Sequence, residues 1–223
     1  MNLAAQIDHT LLRPDCTEAQ ILQLCDEAAA HGFATVCVPP CYVALAATKL
    51  EGTAVGICTV VGFPLGYASA SVKFKEAEVA LYDGATELDM VINISALKSG
   101  KTAAIQAEIL DLADLCHVHQ ALLKVIIETA LLTEEEIELA CRLCVEGEAD
   151  FVKTSTGFAS RGASVADIAL LRRVLPETMR IKAAGGIRTR AAAQALVAAG
   201  ADRIGSSNSV ALISEADEPT AAQ

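Results

Sequence analysis

The chain has 223 residues, 53% of them apolar, which suits one domain with a sizeable core. Aromatic residues make up only 4% and Trp is absent, so that core must be built from Ala, Val, Leu and Ile. The net charge of −11 opposes broad binding to nucleic acid or to anionic membranes, although a small basic pocket is compatible with it.

The N-terminus, MNLAAQIDHT, lacks the basic-then-apolar order of a secretory signal. Ile7–Leu12 is the first strand candidate, and Thr17-x-x-Gln20 then has the form of a capping box opening a helix. A second apolar run covers Phe33–Val38. The third, Ala54–Val61, begins a stretch without charge that extends to Val72. Gly56, Gly62, Pro64 and Gly66 interrupt it, so it reads as a buried strand and a loop, not a membrane span. Thr86–Ile92 follows, and Ile105, Ile109, Leu112 and Leu115 have the spacing of one helix face. After Leu122–Ile127, Thr133-x-x-Glu136 opens another helix. Phe151–Ser155, Met179–Ala183 and Asp202–Gly205 complete the series. The polar segment Glu215–Gln223 is expected to be a loose tail, leaving 1–214 as the folded domain.

Eight strand candidates alternating with helices, with no linker between them, predict a single-domain α/β fold, the (β/α)8 barrel, at the short end of its usual length. A doubly wound open sheet is the alternative, but the Gly-rich dinucleotide turn it would need is not found. Eight cysteines without a signal peptide point to a reduced, cytoplasmic setting. Cys141-x-x-Cys144 falls in a helical pattern with no second pair at zinc spacing, so the cysteines read as structural or incidental.

Charges inside the apolar runs carry the chemistry. Asp89, Lys124, Lys153 and Lys182 sit in the fourth to seventh strand candidates. A strand alternates its faces, and an ammonium in the dry layer against the helices would be costly, so all four should point into the barrel. Neighbouring strands lie about 4.8 Å apart, which lets the four converge. Crowded ammonium groups and desolvation both favour the free amine, and the free amine is the nucleophile. Asp89 would balance the remaining charge and relay protons. The structural alternative is an ion cluster that only holds the barrel together, but perturbed groups concentrate at active sites. Lys153 and Lys182 stay near equal as nucleophile on these arguments. Gly185-Gly186 and Gly205-Ser206-Ser207 follow the seventh and eighth strands, where barrels commonly bind phosphate. Thr156-Gly157 could form a third wall, and Arg188 could assist.

Several segments together resemble the deoxyribose-phosphate aldolase family: Ile7-Asp-His-Thr-Leu-Leu12, Val61-Gly-Phe-Pro-Leu-Gly66, Glu87-Leu-Asp-Met-Val-Ile-Asn93, Leu123-Lys-Val-Ile-Ile-Glu-Thr129, Phe151-Val-Lys-Thr-Ser-Thr-Gly-Phe158 and Ile181-Lys-Ala-Ala-Gly-Gly-Ile-Arg188. The likeness runs in order from Ile7 to about Val210. It implies a (β/α)8 class I aldolase that needs no metal or other cofactor. It implies reversible cleavage of 2-deoxy-D-ribose 5-phosphate to D-glyceraldehyde 3-phosphate and acetaldehyde. By the family pattern Lys153 forms the Schiff base, which breaks the tie. Asp89 and Lys182 transfer protons through a water, the charge of Lys182 also favouring the free amine beside it. Lys124 supports the cluster. Asp8 and Thr10 match polar residues on the substrate side of the first strand. Cys37 matches a cysteine near the pocket, for which inert packing is the expected role.

Two departures from the pattern stand out. Ser207 is followed by Asn208 where two serines are usual, with Ser209 in place of a common Gly. The chain ends Thr-Ala-Ala-Gln223, without the terminal Tyr that assists proton transfer in some members. The alternatives are another Schiff-base barrel enzyme with altered phosphate recognition, and a non-catalytic sugar-phosphate-binding barrel. The expected partners are a phosphorylated sugar and aldehydes, with no nucleic acid and no membrane. A homodimer is expected as the commonest soluble oligomer.

Overall fold

The computed structural model describes residues 2–214; the expected tail, 215–223, lies outside them. Eight parallel strands pair in chain order and β8 closes on β1, giving a (β/α)8 barrel. The elements run β1 (Ile7–Thr10), α1 (Glu18–His31), β2 (Thr35–Val38), α2 (Val43–Lys49), β3 (Gly56–Val61), α3 (Ala70–Tyr82), β4 (Glu87–Val91), α4 (Ile94–Lys98), α5 (Thr102–Val118), β5 (Leu122–Ile126), α6 (Glu134–Glu146), β6 (Phe151–Lys153), α7 (Val165–Val174), β7 (Arg180–Ala184), α8 (Arg190–Ala198), β8 (Arg203–Ser206) and α9 (Ser209–Ser214). Six strands lie inside the apolar runs expected for them, and β7 and β8 are shifted by one residue.

Local chemistry explains the boundaries. Thr17 and Thr133 each accept a hydrogen bond from the backbone N–H three residues on, and the side chains of Gln20 and Glu136 accept one from the backbone N–H of the cap residue, so both capping boxes form. The face Ile21, Leu24, Cys25 and Ala28 of α1 is buried against the sheet, and Gly32 ends the helix in the left-handed region. The uncharged stretch expected to be strand and loop holds β3 and the loop after it, and its last three residues, Ala70 to Val72, begin α3. Among the described residues, no helix is long and apolar enough to cross a membrane.

Strand alternation divides the barrel into two environments. Ile7, Val36, Val38, Ile57, Leu88, Met90, Leu123, Val125, Val152, Ile181, Ala183 and Ile204 face the helices and form the continuous apolar core. Among the described residues, Phe33 and Phe151 are the only aromatic residues in the buried hydrophobic set, in keeping with the composition. The opposite face, inside the barrel, carries Asp8, Glu87, Asp89, Lys124, Lys153 and Lys182, all buried. Register brings Asp89 level with Lys124 and Lys153 level with Lys182.

The loop after β6 is stitched to β7, with Ala163 N donating to Ala184 O at 3.0 Å. Gly162 makes that approach possible, since a Cβ there would lie 2.0 Å from the Gly185 carbonyl oxygen. Gly162→Ala is therefore expected to cost about 1–3 kcal/mol by forcing the two loops apart. Thermal unfolding would read it as a fall of several degrees in Tm.

Candidate active site

The C-terminal ends of the strands open into a cavity of about 630 Å³. Lys153 reaches its floor from the end of β6. Thr10, Thr156, Gly157, Gly185, Gly186, Gly205, Ser206 and Ser207 all line it. The candidate nucleophile and both candidate anion loops therefore share one space. Arg188 is on the wall as well, joined by Arg13, Leu12 and Phe158, which the sequence reading did not single out. Phe158 meets Phe63 edge-on, with ring centroids 5.3 Å apart. Thr156 is fixed from behind. Glu128, in the left-handed region at φ 54°, turns its buried carboxylate back to accept hydrogen bonds from the Thr156 amide and hydroxyl.

Beneath the cavity lies a closed set of charges. Asp89 is its centre: Lys124 Nζ donates to Oδ1 at 2.7 Å, and Lys153 Nζ and Lys182 Nζ both donate to Oδ2 at 2.7 Å. Lys124 also pairs with Glu87 at 2.6 Å, and Lys182 with Asp8. Arg203 completes the layer, donating to Asp8 at 2.5 Å and to Glu87 at 3.3 Å. Gly205 makes room for this: a Cβ at that position would stand 3.2 Å from Lys182 Cε. Lower still, the Phe151 ring packs under the guanidinium of Arg180, 4.0 Å from its centroid.

Asp8 lies deeper than Thr10. It is fully buried, is not among the residues that line the cavity, and pairs with Lys182 and Arg203. Its neighbour on the same face, Thr10, is the residue that reaches the cavity. The effect of crowding on Lys124 and Lys182 differs from expectation. Burial presses the Lys182 ammonium to lose its proton, but Asp8 and Asp89 outweigh it and raise its pKa. Burial acts likewise on Lys124, and Asp89, Cys58, Glu87 and Asp8 again outweigh it, raising that pKa far above the usual lysine value. The mid-strand charges are three cations and one anion; the structure sets four cations, with Arg203, against Asp8, Glu87 and Asp89. Burial would raise the Asp89 carboxyl, yet the three ammonium groups hold it well below the usual carboxylate range.

Cys37 sits at the barrel wall with Cys58 and Val60, fully buried, and is not among the residues that line the cavity. The Cys58 thiol is 3.1 Å from Asp89 Oδ1, and burial, then Cys37, push its pKa well up. Two trios, Cys37–Cys58–Asp89 and Asp8–Cys58–Glu87, bring potential metal-ligand atoms within 4.8 Å of one another. Their carboxylates already bind ammonium or guanidinium groups, so an added cation would have to displace one. Cys141 and Cys144 are buried in α6 and pack in the apolar core. Asn208 hangs beside the wall, donating from its side chain to the Arg188 carbonyl at 3.2 Å.

Comparison with known proteins finds relatives along nearly the whole chain. A family model described as DeoC/LacD family aldolase matches residues 3–211. A deoxyribose-phosphate aldolase of Rhodospirillum rubrum is 54% identical over 215 residues, covering 96% of this chain and 90% of that one. One from Geobacillus sp. (strain WCH70) is 49% identical over 212 residues, covering 95% of each. Among solved structures, the tetrameric deoxyribose phosphate aldolase of Aeropyrum pernix superposes with a TM-score of 0.89 at 37% identity, covering 95% of this chain and 89% of that one. Matched along nearly its whole length in sequence and in fold, this chain belongs to the DeoC/LacD aldolase family.

Proposed function

We propose that the protein cleaves 2-deoxy-D-ribose 5-phosphate reversibly to D-glyceraldehyde 3-phosphate and acetaldehyde through a Schiff base on Lys153. One observation carries the assignment. Of the three clustered lysines, Lys153 alone lines the cavity, and Asp89 is its single carboxylate partner among the described residues. Lys124 and Lys182 stay below the floor, each tied to more than one carboxylate. This supports Lys153 over Lys182 as the nucleophile, a choice the strand pattern alone leaves open.

The Lys153 amine attacks C1 of the open-chain aldehyde, and loss of water from the carbinolamine gives a protonated imine. Acetaldehyde carries C1 and C2, so the bond that breaks is C2–C3. Its electrons flow into the imine as the C3 hydroxyl loses its proton, leaving an enamine on Lys153 and releasing glyceraldehyde 3-phosphate. Protonation of the enamine at C2 and hydrolysis then return acetaldehyde and the free lysine. Asp89 Oδ2 lies 2.7 Å from both Lys153 and Lys182, so it can take and return protons between them. The anionic end of the sugar meets Gly185, Gly186, Ser206 and Ser207, with Thr156, Gly157 and Thr10 on the remaining walls and Arg13 and Arg188 at the rim.

The assay compares cleavage of 2-deoxyribose 5-phosphate with that of 2-deoxyribose, by trapping released acetaldehyde. A preference of at least about 100-fold in kcat/KM is expected, the effect of a charged contact worth about 3 kcal/mol. Equal rates would remove the anion wall from the reading. All eight cysteines are free thiols, which supports a reducing compartment such as the cytoplasm. Val72, Val79 and Tyr82 are exposed on α3, with Leu65 and Tyr67 nearby in sequence. That apolar face supports a homodimer, which the mass in solution checks.

A further inference from the structure

Behind the Ser206–Ser207 wall, on the outer side of the strands, three side chains from three elements line up. Alternation turns His9 away from the barrel while Asp8 faces into it, and its ring packs edge-on to Phe33 with centroids 5.2 Å apart. His9 Nε2 is 2.7 Å from Glu27 Oε2 of α1. His9 Nδ1 is 3.0 Å from Ser209 Oγ at the start of α9. Ser209 Oγ in turn lies 2.9 Å from the carbonyl oxygen of Ser206. The order Glu–His–Ser is that of a hydrolase triad, but Ser209 is fully buried and no reacting group can reach it. The three residues need a different reading.

Counting protons supplies it. Glu27 is a carboxylate: burial would raise its pKa, but the hydrogen bonds from His9 and Gln23 lower it. A carboxylate only accepts, so the 2.7 Å contact requires a proton on His9 Nε2. Ser209 has one hydroxyl proton. When it is donated to the Ser206 carbonyl, Nδ1 must carry a proton too, and His9 is an imidazolium. When His9 is neutral, two lone pairs would face each other at 3.0 Å unless the Ser209 hydroxyl turned to Nδ1. The Ser206 carbonyl then loses the hydrogen bond from Ser209. That carbonyl shares a planar trans peptide with the Ser207 N–H, which points the opposite way, away from Ser209. Fixing the carbonyl therefore fixes the amide of a residue on the cavity wall.

We propose that Glu27, His9 and Ser209 form a pH-dependent positioning relay for the anion-binding wall: charged His9 locks the Ser206–Ser207 peptide and neutral His9 releases it. This rests on the phosphate reading of that wall. The titratable groups that face His9 are Glu27 and His31, both on α1, while β8 and α9 present the uncharged Ser206 and Ser209. Burial lowers the His9 pKa, and Glu27 and the Ser206 backbone oppose it only in part. The lock therefore closes on the acid side of the ordinary histidine value of about 6.5 and opens as pH rises.

Sulfate is the probe, because it keeps its charge across the range in which histidine titrates, unlike a phosphate monoester. Competitive inhibition by sulfate would be measured from about pH 5 to about pH 8 for the parent protein, Ser209→Ala and Glu27→Gln. In the parent, affinity should rise roughly fivefold on acidification, the effect of one hydrogen bond. Ser209→Ala should flatten the profile, and Glu27→Gln should move its midpoint to lower pH together with the His9 imidazole resonance. Glu27 is partly exposed, so that variant reports even if Ser209→Ala fails to fold. A sulfate profile identical in the parent and either folded variant would overturn the relay. A parent that does not bind sulfate would instead remove the wall's anion role on which the relay depends.

Discussion

Replacing Lys153 with leucine is expected to lower kcat/KM for the cleavage by about 10,000-fold, because the residue makes the bond that every later step uses. The fold should survive, since Asp89 keeps Lys124 and Lys182 as partners. Circular dichroism checks that. The decisive measurement is covalent. Borohydride reduces an imine to a stable amine, so parent protein mixed with substrate and borohydride should gain the mass of the adduct on the peptide that contains Lys153. A label confined to Lys182 would overturn the assignment. Such an outcome would require Lys182 to leave both Asp8 and Asp89, to which its ammonium is bonded below the cavity.

Asp89→Asn is expected to affect both chemistry and stability. The amide keeps the shape but removes the charge that three ammonium groups share. Activity should fall by about 100- to 10,000-fold, the usual range for losing an acid–base group. Stability should fall by about 3–5 kcal/mol, because the lysines are left buried with less compensation. The pH dependence follows from the carboxyls. Asp8 and Asp89 both titrate below the ordinary aspartate range in the folded protein, the lysines and Arg203 overcoming burial for Asp8. Their stabilisation is therefore complete above the unfolded value of about 3.9 and is lost as pH falls through the depressed folded values. Chemical denaturation of the parent should show a steep acid limb below about pH 4, and Asp89→Asn should make that limb shallower. An unchanged limb would show that Asp89 is not ionised in the folded state.

Much of this architecture was legible because two periodicities sufficed. The alternation of apolar runs with helix faces specified the barrel, and the two-residue repeat turned Asp89, Lys124, Lys153 and Lys182 inward. Depth along the barrel axis was not legible. Asp8 and Thr10 share a face two residues apart on β1, yet only Thr10 reaches the wall: the level of the floor depends on the stagger between strands, which no single strand encodes. The same repeat could have exposed Glu87, two residues before Asp89, and Arg203, two before Gly205. Neither drew notice, because each stands at the start of its strand, where charge is ordinary. Arg13 and Phe158 lie on loops, where no period operates. The contact between His9 and Ser209 joins residues at opposite ends of the chain and leaves no local trace.

A barrel with a layer of ions inside it also responds differently to heat. Stripping water from a buried charge is the main cost of such a cluster, and that cost shrinks as temperature rises, because the hydration of ions carries a strongly negative entropy. The apolar layer between strands and helices gains little over the same interval. Warming therefore shifts the balance of cohesion inward, from the aliphatic shell to the ring of Asp8, Glu87, Asp89 and their cations, the structure that also positions Lys153.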